Sequence, residues 1–244
     1  MSTPQAVAPT NRLLTSLPER SRKLLIARCK LVALDFDSVL CKAGERIRHV
    51  YFPLGGFISL ITTLADGARL EVGIAGNEGM LGISLILGVN ISPQHALVQG
   101  AGSALRLSAA DFCRLLERDV LLRQCLGRYV HVQLAQLAQF AACTHFHRVD
   151  ARLARWLLMT RDRAHSDRFR ITHQFLALML GVRRAGISQA ASSLQSRGLI
   201  RYHRGEMSVL NGTGLERTAC RCYQSDLNLY QRTMVGVRGS SRRR

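Results

Sequence analysis

The sequence predicts an α+β fold in which an antiparallel β domain is followed by a long helix and a small helical unit closed by a β hairpin. Three observations carry this expectation. Between residues 31 and 107 short apolar segments at 50–52, 57–61, 70–74 and 96–98 are separated by Gly, Asp, Asn and Pro, the cadence of antiparallel strands. Beyond them, apolar or small residues recur at Leu122, Leu126, Val130, Leu134, Leu137, Ala141 and Thr144, three or four residues apart and close to a heptad stripe. Residues 171–197 then hold two short amphipathic helices around Gly181, followed by a strand, a Gly-containing turn and a second strand.

At 244 residues the chain accommodates two modest domains, each able to bury a core. Residues 11–30 read as short helices, with Pro18 opening the second. Within the β region Ala65, Asp66 and Gly67 form a turn, and Gly55 with Gly56, Gly76 with Asn77, and Gly100 with Gly102 supply further turns. Ser108 is the expected N-cap of the first helix after the strands. The resulting division is 11–112 for the β domain, 113–147 for the long helix, 148–216 for the helical unit and 217–244 for a C-terminal extension. Residues 1–10 and 237–244 offer little to bury and are expected to be solvated. Nothing at the N-terminus has the layout of a signal peptide, and the most apolar stretch, 80–91, is interrupted and too short to span a bilayer. A cytoplasmic protein without membrane association is expected.

The charge distribution points to a polyanion. Residues 1–145 carry 15 Lys and Arg against 10 Asp and Glu, whereas residues 146–244 carry 19 against 6. Of the 34 cations all but Lys23, Lys30 and Lys42 are arginines, whose planar guanidinium binds phosphate or guanine through two parallel hydrogen bonds.

The helical unit suits that partner. Thr172 caps its first helix, Phe175, Leu176, Met179 and Leu180 give an apolar face, and Gly181 ends it. In the next helix Ile187, Ala190, Ala191 and Leu194 share one face, so the opposite face carries Ala185, Gln189, Ser192 and Ser196, with Arg183 and Arg184 at its start and Ser188 at its flank. Short or hydrogen-bonding side chains of this kind let a helix enter a major groove, and Gln189 can read adenine. The hairpin then presents Arg201, His203 and Arg204 for phosphate contacts, with residues 203–206 as its turn. The unit therefore reads as a winged helix-turn-helix.

With these parts in this order, residues 11–215 resemble the Crp/Fnr family of transcription regulators. The sharpest motif is THQFLALMLGVRR from Thr172 to Arg184, followed by LQSRGLI from Leu194 to Ile200. The resemblance implies an N-terminal antiparallel β-roll like a cyclic-nucleotide-binding domain, a dimerisation helix paired through Leu122, Leu126, Val130, Leu134, Leu137 and Ala141, and a C-terminal winged helix-turn-helix. It further implies a homodimer on double-stranded DNA with a near-palindromic operator, contact with RNA polymerase, and base reading by Arg184, followed by Ala185 and Gln189. Where cyclic-AMP-binding members carry a ribose-holding Glu and a phosphate-holding Arg-Ser pair, this chain has Met80, Gln94 and His95, so no cyclic nucleotide is expected.

No other cofactor is expected. The N-terminal cysteine cluster of iron-sulfur members is missing, since Cys29 is the first cysteine and Cys41 stands alone. Cys143, His145 and His147 alternate along the chain and Cys220 and Cys222 form a CxC, but each group lacks a full ligand set, and no metal site is predicted. The chain has no GxSxG, GxxxxGK or HExxH motif, so an enzyme is not expected. The rival readings are a non-specific nucleic-acid-binding protein, whose affinity would ignore duplex sequence, and a β-roll module that binds another protein.

Overall fold

The structure, a computed structural model, describes residues 10–235. The two tails expected to be solvated lie, apart from Thr10, outside the described residues. Two short helices, α1 (Arg12–Ser16) and α2 (Glu19–Ile26), lead into an antiparallel sheet of β1 (Lys30–Leu34), β2 (Val39–Cys41), β3 (His49–Thr63), β4 (Arg69–Ala75) and β5 (His95–Ser108). Its strand order is β1-β5-β3-β4, with β2 also paired to β5. Asn11 pins the N-terminal helices to this roll: its Oδ1 accepts from Leu14 N–H, and its Nδ2 donates to the Pro53 and Gly79 carbonyls at 2.9 and 2.8 Å.

Two glycine pairs read as turns are not turns. Gly55 and Gly56 lie inside β3, Gly100 and Gly102 lie inside β5, and the pairing register shifts between Pro53 and Ile58. The apolar segments 50–52 and 57–61 therefore belong to one bent strand. Gly56 has φ +75° and a Cβ there would run into the Gly100 carbonyl, so the two backbones can cross this closely only without side chains. The turn at Ala65, Asp66 and Gly67 is present, closed by Leu64 N–H to the Ala68 carbonyl at 2.8 Å.

Ser108 caps α3 (Ala109–Arg118) as expected, accepting from Asp111 N–H at 3.1 Å. Asp119 then interrupts the chain and caps α4 (Val120–Phe146), so the long helix begins seven residues after the expected boundary. The N-terminal half of α4 lies on the roll. Leu122 and Leu126 are buried there among Leu13, Phe52, Phe112 and Leu115, and Val130 is also buried. These three residues therefore do not belong to a dimer seam: one apolar periodicity serves a helix packed on its own domain as well as one paired with a partner. The exposed stripe runs instead through Gly127, His131, Leu134, Ala138, Ala141 and His145, at heptad-like spacing. Leu134 and Leu137 are 62% and 45% exposed, and Ala141 is also exposed, so these three remain available to a second chain.

The C-terminal unit comprises α5 (Val149–Ala164), β6 (Arg168–Arg170), α6 (His173–Leu180), α7 (Arg184–Ser196), β7 (Ile200–His203), β8 (Glu206–Val209) and α8 (Gly212–Thr218). Its core of Leu153, Leu157, Leu176, Ile187, Leu194 and Leu215 is continuous with Phe57, Ile61 and Ile74 of the roll. Three polar links cross the same boundary, the first two of them buried. Trp156 Nε1 donates to Glu71 at 2.8 Å, Arg163 pairs with Glu78 at 2.9 Å, and Asn77 meets His165 at 2.7 Å. Finally α9 (Cys222–Tyr230) and a π-helical turn (Gln231–Val235) return to the roll, where Tyr230 and Met234 are buried and Tyr230 donates to the Glu78 carbonyl at 2.7 Å. Among the described residues no helix is long and apolar enough to cross a membrane.

Candidate nucleic-acid interface

The first helix of the expected motif is α6. Thr172 Oγ1 accepts from Phe175 N–H at 3.1 Å, and Gly181 ends the helix at φ +61° in the left-handed region. A side chain at Gly181 would also press on Leu70 of β4, whose Cδ1 lies 2.9 Å from the Cβ position. The chain re-enters helix at Arg184. Ile187, Ala190, Ala191 and Leu194 are buried against α5 and α6, as their spacing requires. Arg184, Ala185, Gln189, Ser192 and Ser196 are exposed on the outer face, and Arg183, the exposed N-cap, stands at the same end. The positive helix N-terminus and two guanidinium groups thus point out of the domain together, a favourable arrangement for phosphate.

Ser188 is not free on that face. It is half-buried, and its hydroxyl lies 3.1 Å from His173 Nδ1 on α6. His173 in turn stacks on Tyr202 of β7, with ring centroids 4.2 Å apart and planes at 17°. Burial first, and the nearby Arg184 charge second, lower the pKa of His173, so the imidazole is held neutral between these partners. Gln195 on α7 completes the link, accepting from Tyr202 N–H at 2.8 Å. This strap fixes the wing against the recognition helix, and it was not read from the sequence. The stacked pair lies 29 residues apart, where no local periodicity relates one ring to the other.

The wing is tighter than expected. His203 pairs with Glu206 and only Arg204 and Gly205 form the turn, both at positive φ (+47° and +82°), the geometry of a two-residue hairpin. Arg201, His203 and Arg204 are exposed on it. A third strand, β6, pairs with β8 and brings exposed Arg168 and Arg170 alongside.

A second concavity lies between the roll and α4. This cavity of about 210 Å³ is lined by Arg48, His49, Met80, Gln94, Val130 and Gln133 among others, and no carboxylate is among its lining residues. Met80 is 2% exposed and turned inward, and its N–H donates to the buried Tyr129 hydroxyl at 3.3 Å. His95 does not line the cavity but pairs with Ile61 in the sheet. No carboxylate lines the cavity to meet a ribose hydroxyl, and the neutral Gln94 lines it together with Arg48 and His49.

The sequence also places the chain among known proteins. A family model for the Crp-like helix-turn-helix domain matches residues 151–218, and one for the cyclic nucleotide-binding domain matches residues 32–119. The cAMP-activated global transcriptional regulator Vfr of Pseudomonas aeruginosa is 24% identical over 199 residues, covering 78% of this chain and 92% of Vfr. Among solved structures, FixK2 from Bradyrhizobium japonicum superposes with a TM-score of 0.66 at 16% identity, covering 79% of this chain and 98% of its own. The c-di-GMP responsive regulator CLP of Xanthomonas campestris gives 0.63 at 16% identity, with 79% and 99% covered.

Proposed function

Because the chain belongs to the Crp/Fnr family of DNA-binding transcription regulators, we propose that it acts as a homodimer. Its two α7 helices enter successive major grooves of a near-palindromic site, about 34 Å apart. The observation that carries this reading is the outer face of α7, with Arg184, Ala185, Gln189 and Ser192 exposed beside a wing bearing Arg201, His203 and Arg204. Arg184 and Gln189 read base edges, while Arg183, Arg201 and Arg204 hold phosphates and set the register. Leu134, Ala138 and Ala141 supply the exposed small and apolar stripe on which two copies of α4 pair. Contact with RNA polymerase and a cytoplasmic location follow from the family.

The effector is not a cyclic nucleotide. Vfr is named for activation by cAMP, and the buried Met80 and neutral Gln94 argue against carrying that property over. Calorimetry with cyclic AMP and cyclic GMP is expected to give no saturable binding at micromolar concentration, and saturation there would overturn this part of the proposal.

The test of DNA recognition is selection of duplexes from a random pool by the full-length protein at moderate salt, followed by sequencing. An inverted repeat with half-sites about one helical turn apart is the expected result. Recovery of duplexes without a common motif would favour a non-specific binder instead.

A further inference from the structure

The five residues set aside as two incomplete groups come together in three dimensions, all but His145. Cys143 and His147 occupy the last turn of α4 and its C-cap, four residues apart and therefore on one face. Cys220 and Cys222 sit at the corner between α8 and α9. Cys143 Sγ lies 3.5 Å from Cys220 Sγ, Cys222 Sγ lies 3.6 Å from His147 Nδ1, and all four atoms fall within 4.8 Å of one another. Nothing covalent joins them, since every cysteine among the described residues is free.

We propose that Cys143, His147, Cys220 and Cys222 form a binding site for one thiophilic divalent cation of the zinc class. A tetrahedral ion with metal–sulfur bonds of about 2.3 Å holds its ligand atoms about 3.7 Å apart, close to the two separations found here. Three sulfurs and one imidazole are a soft donor set, which suits zinc and excludes magnesium or calcium. The compactness of the four atoms fits a single ion rather than a polynuclear cluster.

The surroundings match the charge such a centre would carry. On binding, the three thiols release their protons to solvent and His147 ligates through Nδ1 as neutral imidazole, so one divalent ion with three thiolates has a net charge of −1. Two arginines, Arg152 and Arg155, are buried against the cluster; Asp226 pairs with Arg155 at 2.6 Å, whereas Arg152 donates to the Leu180 carbonyl. Among the described residues Arg152 has no carboxylate within ion-pair distance, and a centre of net charge −1 beside it offsets its buried charge. Gln139 on α4 adds an N–H donor 2.8 Å from Cys222 Sγ, the kind of outer contact that stabilises a ligating thiolate. The ion would clamp the end of α4 to the corner where the C-terminal extension leaves the DNA-binding unit.

The test uses the full-length protein, reduced and stripped with a chelator, and titrated with cobalt(II) under anaerobic conditions. No DNA is present, so the outcome is independent of the regulatory reading. One equivalent per chain is expected to produce the intense visible bands of tetrahedral cobalt together with thiolate charge transfer, and one equivalent of zinc is expected to bleach them. Cys220→Ser and His147→Ala should lose this spectrum while circular dichroism reports an intact fold, and Cys113→Ser, outside the cluster, should keep it. Gln139→Ala retains every ligand and should weaken affinity by about 10- to 100-fold. The proposal is overturned by any of three results: no tetrahedral spectrum at one equivalent, a spectrum that survives Cys220→Ser and His147→Ala, or recovery of a Cys143–Cys220 disulfide in protein that takes up no cobalt.

Discussion

Replacing Glu71 by Gln probes the joint between the two domains. Glu71 rises from β4 into the shared core, where it is 4% exposed, accepts from Ser59 at 2.5 Å and meets Trp156 of α5 at 2.8 Å. Burial pushes its carboxyl from 4.5 up to about 7, against the opposing pull of Ser59, Trp156 and Arg163. Between those two values the folded chain keeps a proton that the unfolded chain has lost, so stability declines as pH rises through this window. The contribution is complete below about pH 4.5 and gone above about pH 7. At about 1.4 kcal/mol for each pH unit, the window amounts to about 3 kcal/mol. Gln is a neutral isostere whose carbonyl still accepts from Trp156 and whose amide donates to Ser59. Urea unfolding followed by the emission of Trp156, the only tryptophan of the chain, is measured from pH 4.5 to 8 for both proteins. The expected result is that the stability of Glu71→Gln gains about 3 kcal/mol on the parent across this range. Parallel profiles would show that Glu71 is ionised within the joint and would refute the reasoning.

Two further predictions separate residues that share a sequence pattern. Leu126→Ala should lower unfolding stability by about 2–5 kcal/mol, because Leu126 is fully buried in its own protomer. Leu134→Ala should leave protomer stability within about 0.5 kcal/mol, yet shift sedimentation towards monomer and weaken operator binding. Equal effects of the two substitutions on assembly would contradict the exposed-stripe assignment. Arg184→Ala should cost about 1–3 kcal/mol, concentrated at one base pair, when affinity is measured across operator variants. Arg201→Ala should weaken all sequences alike and reduce the salt dependence by about one released counterion.

The recognition helix was legible because a single rule governed it. Ile187, Ala190, Ala191 and Leu194 bury against neighbours close in sequence, so the period of 3.6 fixes the opposite face. The same rule misassigned Leu122, Leu126 and Val130, since periodicity identifies an apolar stripe without naming what covers it. β3 was divided in two because Gly55 and Gly56 usually mark turns, whereas here they permit two strands to cross at a bulge. Ser188 followed the helical wheel but is held by His173 from another helix, a contact that local spacing does not encode. The Cys/His cluster was out of reach for the same reason, its halves being 77 residues apart at Cys143 and Cys220. Turn length at the wing and the start of α4 at Asp119 were likewise decided by pairing and capping rather than by apolar pattern.

The return of α9 to the roll changes what the DNA-binding unit can do mechanically. A domain joined by one strand can swing through a cone, but this one is a loop fastened at both ends to the same body. The chain enters it after His147 and leaves it at Cys220, and these two crossings meet where Cys143 and Cys220 stand 3.5 Å apart. These two fastenings, together with the core shared with Phe57, Ile61 and Ile74, hold the unit on the roll. Any reorientation of α7 against the roll would have to break the Glu71–Trp156 and Glu78–Arg163 links and open the core shared with Phe57, Ile61 and Ile74.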